Sequence, residues 1–264
     1  MANIALRAAR NASPVILQGM DRVDLLQKEE KSGFDFVSDI DREAEQIIIE
    51  TINRSYPDHT IIGEESGTVV KGDLDYTWII DPLDGTTNYL NGIPHFCISI
   101  ACLKGKQFEH AVVLDPLQNE EFVASKGFGS QLNGKRIRVS KPKPLHKSIL
   151  ATGIPPLAKK DHVGTYMKTL DSLLEKSGAI RRMGSAALDL AYVAAGRFDG
   201  FWEFKLSPWD IAAGTLLVRE AGGFVGDLSG GDNFYATGNI IAANPSCFKA
   251  IVRDIDGKLS QELT

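Results

Sequence analysis

Apolar residues recur at roughly helical spacing over residues 3–29, where Ile4, Ala8, Val15, Leu17, Leu25 and Leu26 form one broad stripe. The spacing predicts a helix there, kinked at Pro14, whose ring nitrogen has no hydrogen to give. A second helix is predicted from Asp39 to Arg54, with Ile40, Ala44, Ile47 and Ile48 on one face and Asp39 as its cap. The period then changes. Tyr76 to Ile80, Phe96 to Leu103, Glu109 to Leu114 and Glu121 to Ser125 read as strands. Short turns at Lys104-Gly105-Lys106 and Asp115-Pro116 join the last three into an antiparallel meander, and Asn133-Gly134 signals a hairpin before Arg136 to Val139.

From Ser148 onward the elements alternate. Strand Ser148–Ala151, helix His162–Lys176 and strand Ala179–Arg182 precede a helix over Ala186–Ala195 that Gly196 closes. Strand Gly200–Glu203, a helix from Asp210 to Ala221 closed by Gly222-Gly223, strand Asn239–Ala243 and a helix from Pro245 follow. Antiparallel strands first and alternating elements later predict a mixed α/β, layered architecture rather than a doubly wound sheet. Residues 1–264 read as a single domain. The densest Pro and Lys punctuation, over 140–156, marks where a sub-domain seam would fall.

The 264 residues carry 29 Lys+Arg against 34 Asp+Glu, a net charge of −5, which argues against a dedicated nucleic-acid or anionic-membrane surface. No apolar run approaches the length of a membrane span, and the N-terminus lacks the apolar core of a signal peptide, so the expectation is a cytoplasmic protein. Cys97, Cys102 and Cys247 form no C-x-x-C pattern and read as structural thiols. Cys97 and Cys102 lie five apart in a strand and are expected on opposite faces.

The chemistry concentrates in three acidic stretches. In Trp78-Ile79-Ile80-Asp81-Pro82-Leu83-Asp84-Gly85-Thr86-Thr87-Asn88, a buried strand delivers Asp81 at its end and Pro82 is expected to turn the chain. Asp81 and Asp84 can then face one cavity. Hard carboxylate oxygens suit Mg²⁺, and the amides around Gly85, Thr86 and Thr87 suit a phosphate. Taken alone, Asp-Pro and Asp-Gly are also ordinary turn formers. Gly63-Glu64-Glu65 follows an apolar strand and reads either as a ligand or as a solvated loop. Ser207-Pro208-Trp209-Asp210 opens a helix, where Asp210 can cap, ligate a cation, or both.

Taken together, Gly63-Glu64-Glu65, Trp78 through Asn88, and Trp209-Asp210-Ile211-Ala212-Ala213-Gly214 with Glu220-Ala221-Gly222-Gly223 resemble the inositol monophosphatase family of Mg²⁺-dependent sugar phosphatases. The resemblance extends over nearly the whole chain. Bacterial-type members look nearest, from Arg181-Arg182-Met183-Gly184-Ser185-Ala186-Ala187-Leu188-Asp189 and Phe201-Trp202-Glu203.

That resemblance implies a layered αβαβα sandwich and a phosphomonoesterase acting on myo-inositol monophosphate or a related polyol phosphate by direct attack of an activated water. It also implies two or three Mg²⁺ ions, for which Mn²⁺ can substitute, with lithium inhibition and a homodimer. Glu64, Asp81, Asp84 and Asp210 would be side-chain metal ligands and Leu83 a carbonyl ligand. Glu64, Thr86 and Asp41 would be catalytic, Asp41 supporting a weaker metal and pairing with the Thr86 hydroxyl. Asp84, Gly85, Thr86, Thr87, Arg182, Glu203 and Asp210 would contact substrate, with Lys31 as a loop lysine near the phosphate. Ser207 departs from the animal-type pattern, which has His there.

Two alternatives stand beside this reading. Fructose 1,6-bisphosphate, histidinol phosphate and 3′-phosphoadenosine 5′-phosphate are substrates of sister enzymes with the same metal core, and Thr87-Asn88 favours the inositol branch over the nucleotide branch. A non-catalytic role, binding RNA or an RNA polymerase-associated complex, would use the basic cluster Lys135-Arg136-Ile137-Arg138 with Lys141 and Lys143, which otherwise reads as a solvated hairpin. No G-x-S-x-G or Walker pattern is present.

Overall fold

In the computed structural model, residues 1–20, 29–31, 35–37, 39–69, 73–154 and 163–259 are described. The first part runs α1 (Ala2–Met20), β1 (Glu29–Lys31), β2 (Asp35–Val37), α2 (Asp39–Asn53), β3 (His59–Gly63), β4 (Gly67–Thr68), β5 (Asp73–Asp84) and α3 (Thr86–Leu90). It continues with β6 (Cys97–Lys104), β7 (Gln107–Asp115), β8 (Glu120–Ser125), β9 (Gly129–Leu132) and β10 (Lys135–Arg136). The second part comprises β11 (Ile149–Thr152), α4 (Val163–Lys176), β12 (Ala179–Arg181), α5 (Ala186–Ala194) and β13 (Gly200–Glu203). It ends with α6 (Pro208–Glu220), β14 (Phe224–Gly226), α7 (Phe234–Thr237), β15 (Ile240–Ala243) and α8 (Pro245–Ile255).

Strands β10-β9-β8-β7-β6-β5-β3-β4 form one sheet in that order, antiparallel throughout except where β3 runs parallel to β5. A second sheet has the order β12-β11-β13-β15-β14. The meander and the Asn133-Gly134 hairpin are as the sequence predicts: both hairpin residues adopt positive φ, 49° and 75°, the combination a tight two-residue turn requires.

The large sheet is buried on both faces, which is why its central strands read as nearly unbroken apolar runs. Along β6, Cys97, Ala101 and Leu103 face α5 and α6, while Ile98, Ile100 and Cys102 face α1 and α2. The two cysteines therefore do point to opposite sides. Helices α5 and α6 pack between the sheets, and α4 and α8 cover the outer face of the second sheet, so the layers stack αβαβα. A helix pair with sheet on both sides must be apolar nearly all round, and α5 is buried at eight of its positions. At Gly214 of α6 a Cβ would sit 2.4 Å from the Leu190 Cβ of α5, so only glycine permits this approach.

Four local expectations are corrected. Helix α1 continues through Pro14 and is described as far as Met20, but it does not reach residue 29. Glu29 instead begins a strand whose backbone groups pair antiparallel with β2, Lys31 opposite Asp35. Lys31 therefore belongs to a strand and not to a loop. Asp39 is the first residue of α2, where its charge meets the positive helix end, and is not the cap before it. Pro82 does not end its strand, because β5 runs on to Asp84 through a bulge. Residues 21–28 of the first predicted helix, 155–156 of the predicted seam, and His162 lie outside the described residues.

Candidate active site

Side chains three apart in a regular strand point to opposite faces. Asp81 and Asp84 escape this through the bulge: Asp81 is opposite Ser99 and Asp84 opposite Cys97, two residues apart on β6, so β5 carries one extra residue between them. Both carboxylates consequently turn to the face covered by α5 and α6. Asp210 reaches the same point from the first turn of α6. An oxygen from each of Asp81, Asp84 and Asp210 can be chosen so that all lie within 4.8 Å of one another.

Each carboxylate is held by donors. Asp81, 1% exposed, accepts the Leu83 N–H at 3.0 Å. Asp84 accepts the Ser185 hydroxyl and the Ala187 N–H, both at 2.7 Å on Oδ2, which seats it at the N-terminus of α5. The Cys97 Sγ lies 4.0 Å from the same oxygen. Asp210 accepts the Ser207 N–H at 2.6 Å, making Ser207 the residue before the helix and Asp210 the reciprocal member of a capping box. Glu64 follows β3, and its N–H donates to the Ile80 carbonyl at 3.1 Å, setting it beside Asp81.

Grouping acids in a dry place opposes their ionisation. Burial pushes the Glu64 carboxyl up to about 8, although a hydrogen bond with Asp81 acts the other way. Asp81 is raised by burial and then by the charges of Glu64, Asp84 and Asp210. Asp84 is raised by burial against the donors from Ser185 and Ala187. A cluster of hard oxygens that resist carrying charge together is a donor set suited to a divalent cation such as Mg²⁺ or Mn²⁺.

Around the cluster, Gly85 adopts φ 98° and opens α3; a Cβ there would lie 3.0 Å from the His95 carbonyl. The leading amides of α3, at Thr86 and Thr87, have no acceptor within the helix. The Thr86 Oγ1 stands 2.9 Å from the Leu83 carbonyl and 3.5 Å from Asp41 Oδ2, so Leu83 is its nearer acceptor. A hydroxyl has one proton, and the pairing with Asp41 expected from the sequence is the weaker of the two contacts. The Leu83 carbonyl keeps a second lone pair. Glu203, at the end of β13, is pushed well up by burial and by the charges of Asp210, Asp189 and Asp84, against the Arg182 charge. Its carboxylate lies over Gly153, where any Cβ would overlap it. Arg182 itself is exposed just beyond β12.

Two supports were not anticipated. Ser185 caps α5 and also donates to Asp84; its place before the apolar run Ala186–Ala194 is a legible capping signal, but its second role is not. Asn88 donates to the His95 carbonyl at 2.7 Å and the Met183 carbonyl at 2.8 Å, tying α3 to the loop that carries Ser185.

The profile of the inositol monophosphatase family matches residues 1–259. The chain belongs to that family. It is 50% identical to a Nus factor SuhB from Pseudomonas aeruginosa and 52% identical to one from Escherichia coli K12, each alignment covering 100% of this chain and 98% of the relative. Among solved structures, the extragenic suppressor protein suhB from Bartonella henselae superposes with a TM-score of 0.94 at 41% identity, over 97% of this chain and 98% of that one. An inositol monophosphatase from Anabaena (Nostoc) superposes at 0.84 with 36% identity, over 96% and 94%. The mixed α/β layering is thus the fold of the inositol monophosphatases. No helix among the described residues is long and apolar enough to cross a membrane.

Proposed function

We propose that this chain is a Mg²⁺-dependent phosphomonoesterase that hydrolyses myo-inositol monophosphate or a related polyol phosphate to the free alcohol and inorganic phosphate. The observation that carries this reading is the convergence of Asp81, Asp84 and Asp210 within 4.8 Å, beside Glu64 and the start of α3.

In this reading Glu64, Asp81, Asp84, Asp210 and the Leu83 carbonyl hold the cations, with Asp41 supporting a further, weaker one. When bound, they neutralise phosphate charge and lower the pKa of a coordinated water. The chain's own groups supply the positioning. Glu64 and the Thr86 hydroxyl, backed by Asp41, orient the attacking water. The amides of Gly85, Thr86 and Thr87 hold phosphate oxygens as charge develops on them. Water oxygen bonds to phosphorus as the ester P–O bond breaks, and the proton that the water gives up passes to the departing alkoxide on the Asp210 side, so that free alcohol and inorganic phosphate leave. Glu203 accepts from hydroxyls of the alcohol, and Arg182 donates to hydroxyls or phosphate. Assays with inositol 1-phosphate, fructose 1,6-bisphosphate and 3′-phosphoadenosine 5′-phosphate at saturating Mg²⁺ test the assignment. Preference for the nucleotide overturns it.

The naming of the SuhB relatives as Nus factors supports a second reading, a partner in a transcription complex. Capture by Asp84→Asn protein decides whether a partner is held without catalysis. A symmetric homodimer and a cytoplasmic location accompany the proposal; light scattering and fractionation check them.

A further inference from the structure

Glu45 lies on α2, four residues after Asp41 and therefore on the same helix face. Both are 2% exposed. A buried carboxylate needs donors, and Glu45 finds them in the turn that follows β3: Oε2 accepts the Glu65 N–H at 3.0 Å and Oε1 accepts the Ser66 N–H at 2.9 Å. The carboxylate also fills the space over Gly63, where a Cβ would lie 2.2 Å from Oε2. Gly63 and Glu65 flank Glu64 on either side. Glu64 is thus bracketed by two neighbours whose positions Glu45 sets, and its own N–H is tied to the Ile80 carbonyl.

We propose that Glu45 is a positioning residue for the cation site: by taking the two amides of the turn it aims the Glu64 carboxylate at Asp81. Helix α2 then braces the site twice, through Asp41 on the Thr86 side and through Glu45 on the Glu64 side. The inference rests on the metal-binding reading of Glu64. Outer partners that orient ligands characteristically govern metal affinity by about 10–100-fold.

The test uses the full chain as Glu45→Ala, Glu45→Gln and, as a control on the underlying reading, Asp84→Asn. Three measurements are made: Mn²⁺ binding by electron paramagnetic resonance without substrate, Mg²⁺ half-saturation against substrate KM, and hydrogen exchange of the Glu65 and Ser66 amides in metal-free protein. In Glu45→Ala we expect about tenfold or greater weakening of Mn²⁺ binding, a matching rise in Mg²⁺ half-saturation, substrate KM within twofold, and faster exchange at both amides. Glu45→Gln, which keeps one acceptor oxygen, recovers part of each effect, and it carries the test if Glu45→Ala does not fold. Mn²⁺ affinity and amide protection equal to the parent in folded variants overturn the proposal. So does loss of kcat with unaltered metal affinity, which marks a merely structural role. Undiminished Mn²⁺ binding by Asp84→Asn strikes instead at the metal reading itself.

Discussion

Asp81 and Asp84 face the same side of β5 although three residues separate them, because β5 has one residue more than β6 between the pairs Asp81–Ser99 and Asp84–Cys97. The bulge converts a spacing that would split two carboxylates into one that joins them. Everything in the site is arranged around that pair: α5 donates to Asp84, α6 brings Asp210, and β3 lays Glu64 alongside.

Asp84→Asn is expected to lower turnover at least about a hundredfold, since it removes a charged ligand and the transition-state stabilisation that depends on it. In metal-free buffer the same variant should unfold within about 1 kcal/mol of the parent, because its amide oxygen can still accept from Ser185 and Ala187 while one like charge is gone. Steady-state kinetics and urea denaturation check the two halves. Unchanged turnover would sink the ligand role.

Glu64 holds its proton up to about pH 8 in the folded metal-free protein, whereas an unfolded glutamate releases it near 4.3–4.5. Between those values the folded state binds more protons than the unfolded one, so stability falls as pH rises across the window. Cation binding needs the deprotonated carboxylates, which makes the stabilisation by Mg²⁺ larger at pH 8 than at pH 5.5. Thermal melts in EDTA and in Mg²⁺ at the two pH values read this directly; a metal-free Tm that climbs toward pH 8 contradicts it.

Gly214→Ala should destabilise by about 1–3 kcal/mol, since the new methyl would overlap Leu190 and force α5 from α6. These helices carry Ser185 and Asp210, so turnover should fall with stability. Chemical denaturation and kcat on the same preparation test the coupling.

Asp199 is 2% exposed and accepts the Ser140 hydroxyl at 2.6 Å and the Ile149 N–H at 2.7 Å, with Lys143 at 2.9 Å. It pins the chain where it passes from the first sheet to the second. Asp199→Ala leaves the half-buried Ile149 amide without its acceptor and should destabilise by about 1–2 kcal/mol, with kcat per folded molecule retained. Equilibrium unfolding monitored beside activity distinguishes this from a site residue.

What could be read along the chain was whatever neighbouring residues encode together. The strand and helix periods, the Asn133-Gly134 turn and the two faces of Cys97 and Cys102 follow from side-chain spacing over a few residues. The acids of the site were legible as types in a pattern, by resemblance. Their convergence was not. The bulge depends on how β5 registers against β6, the hold on Asp84 comes from Ser185, 101 residues away, and the brace at Glu45 crosses from a helix to a distant turn. Local periodicity is set by covalent neighbours and sterics, whereas register and convergence are decided only when separate layers bury their apolar faces against one another.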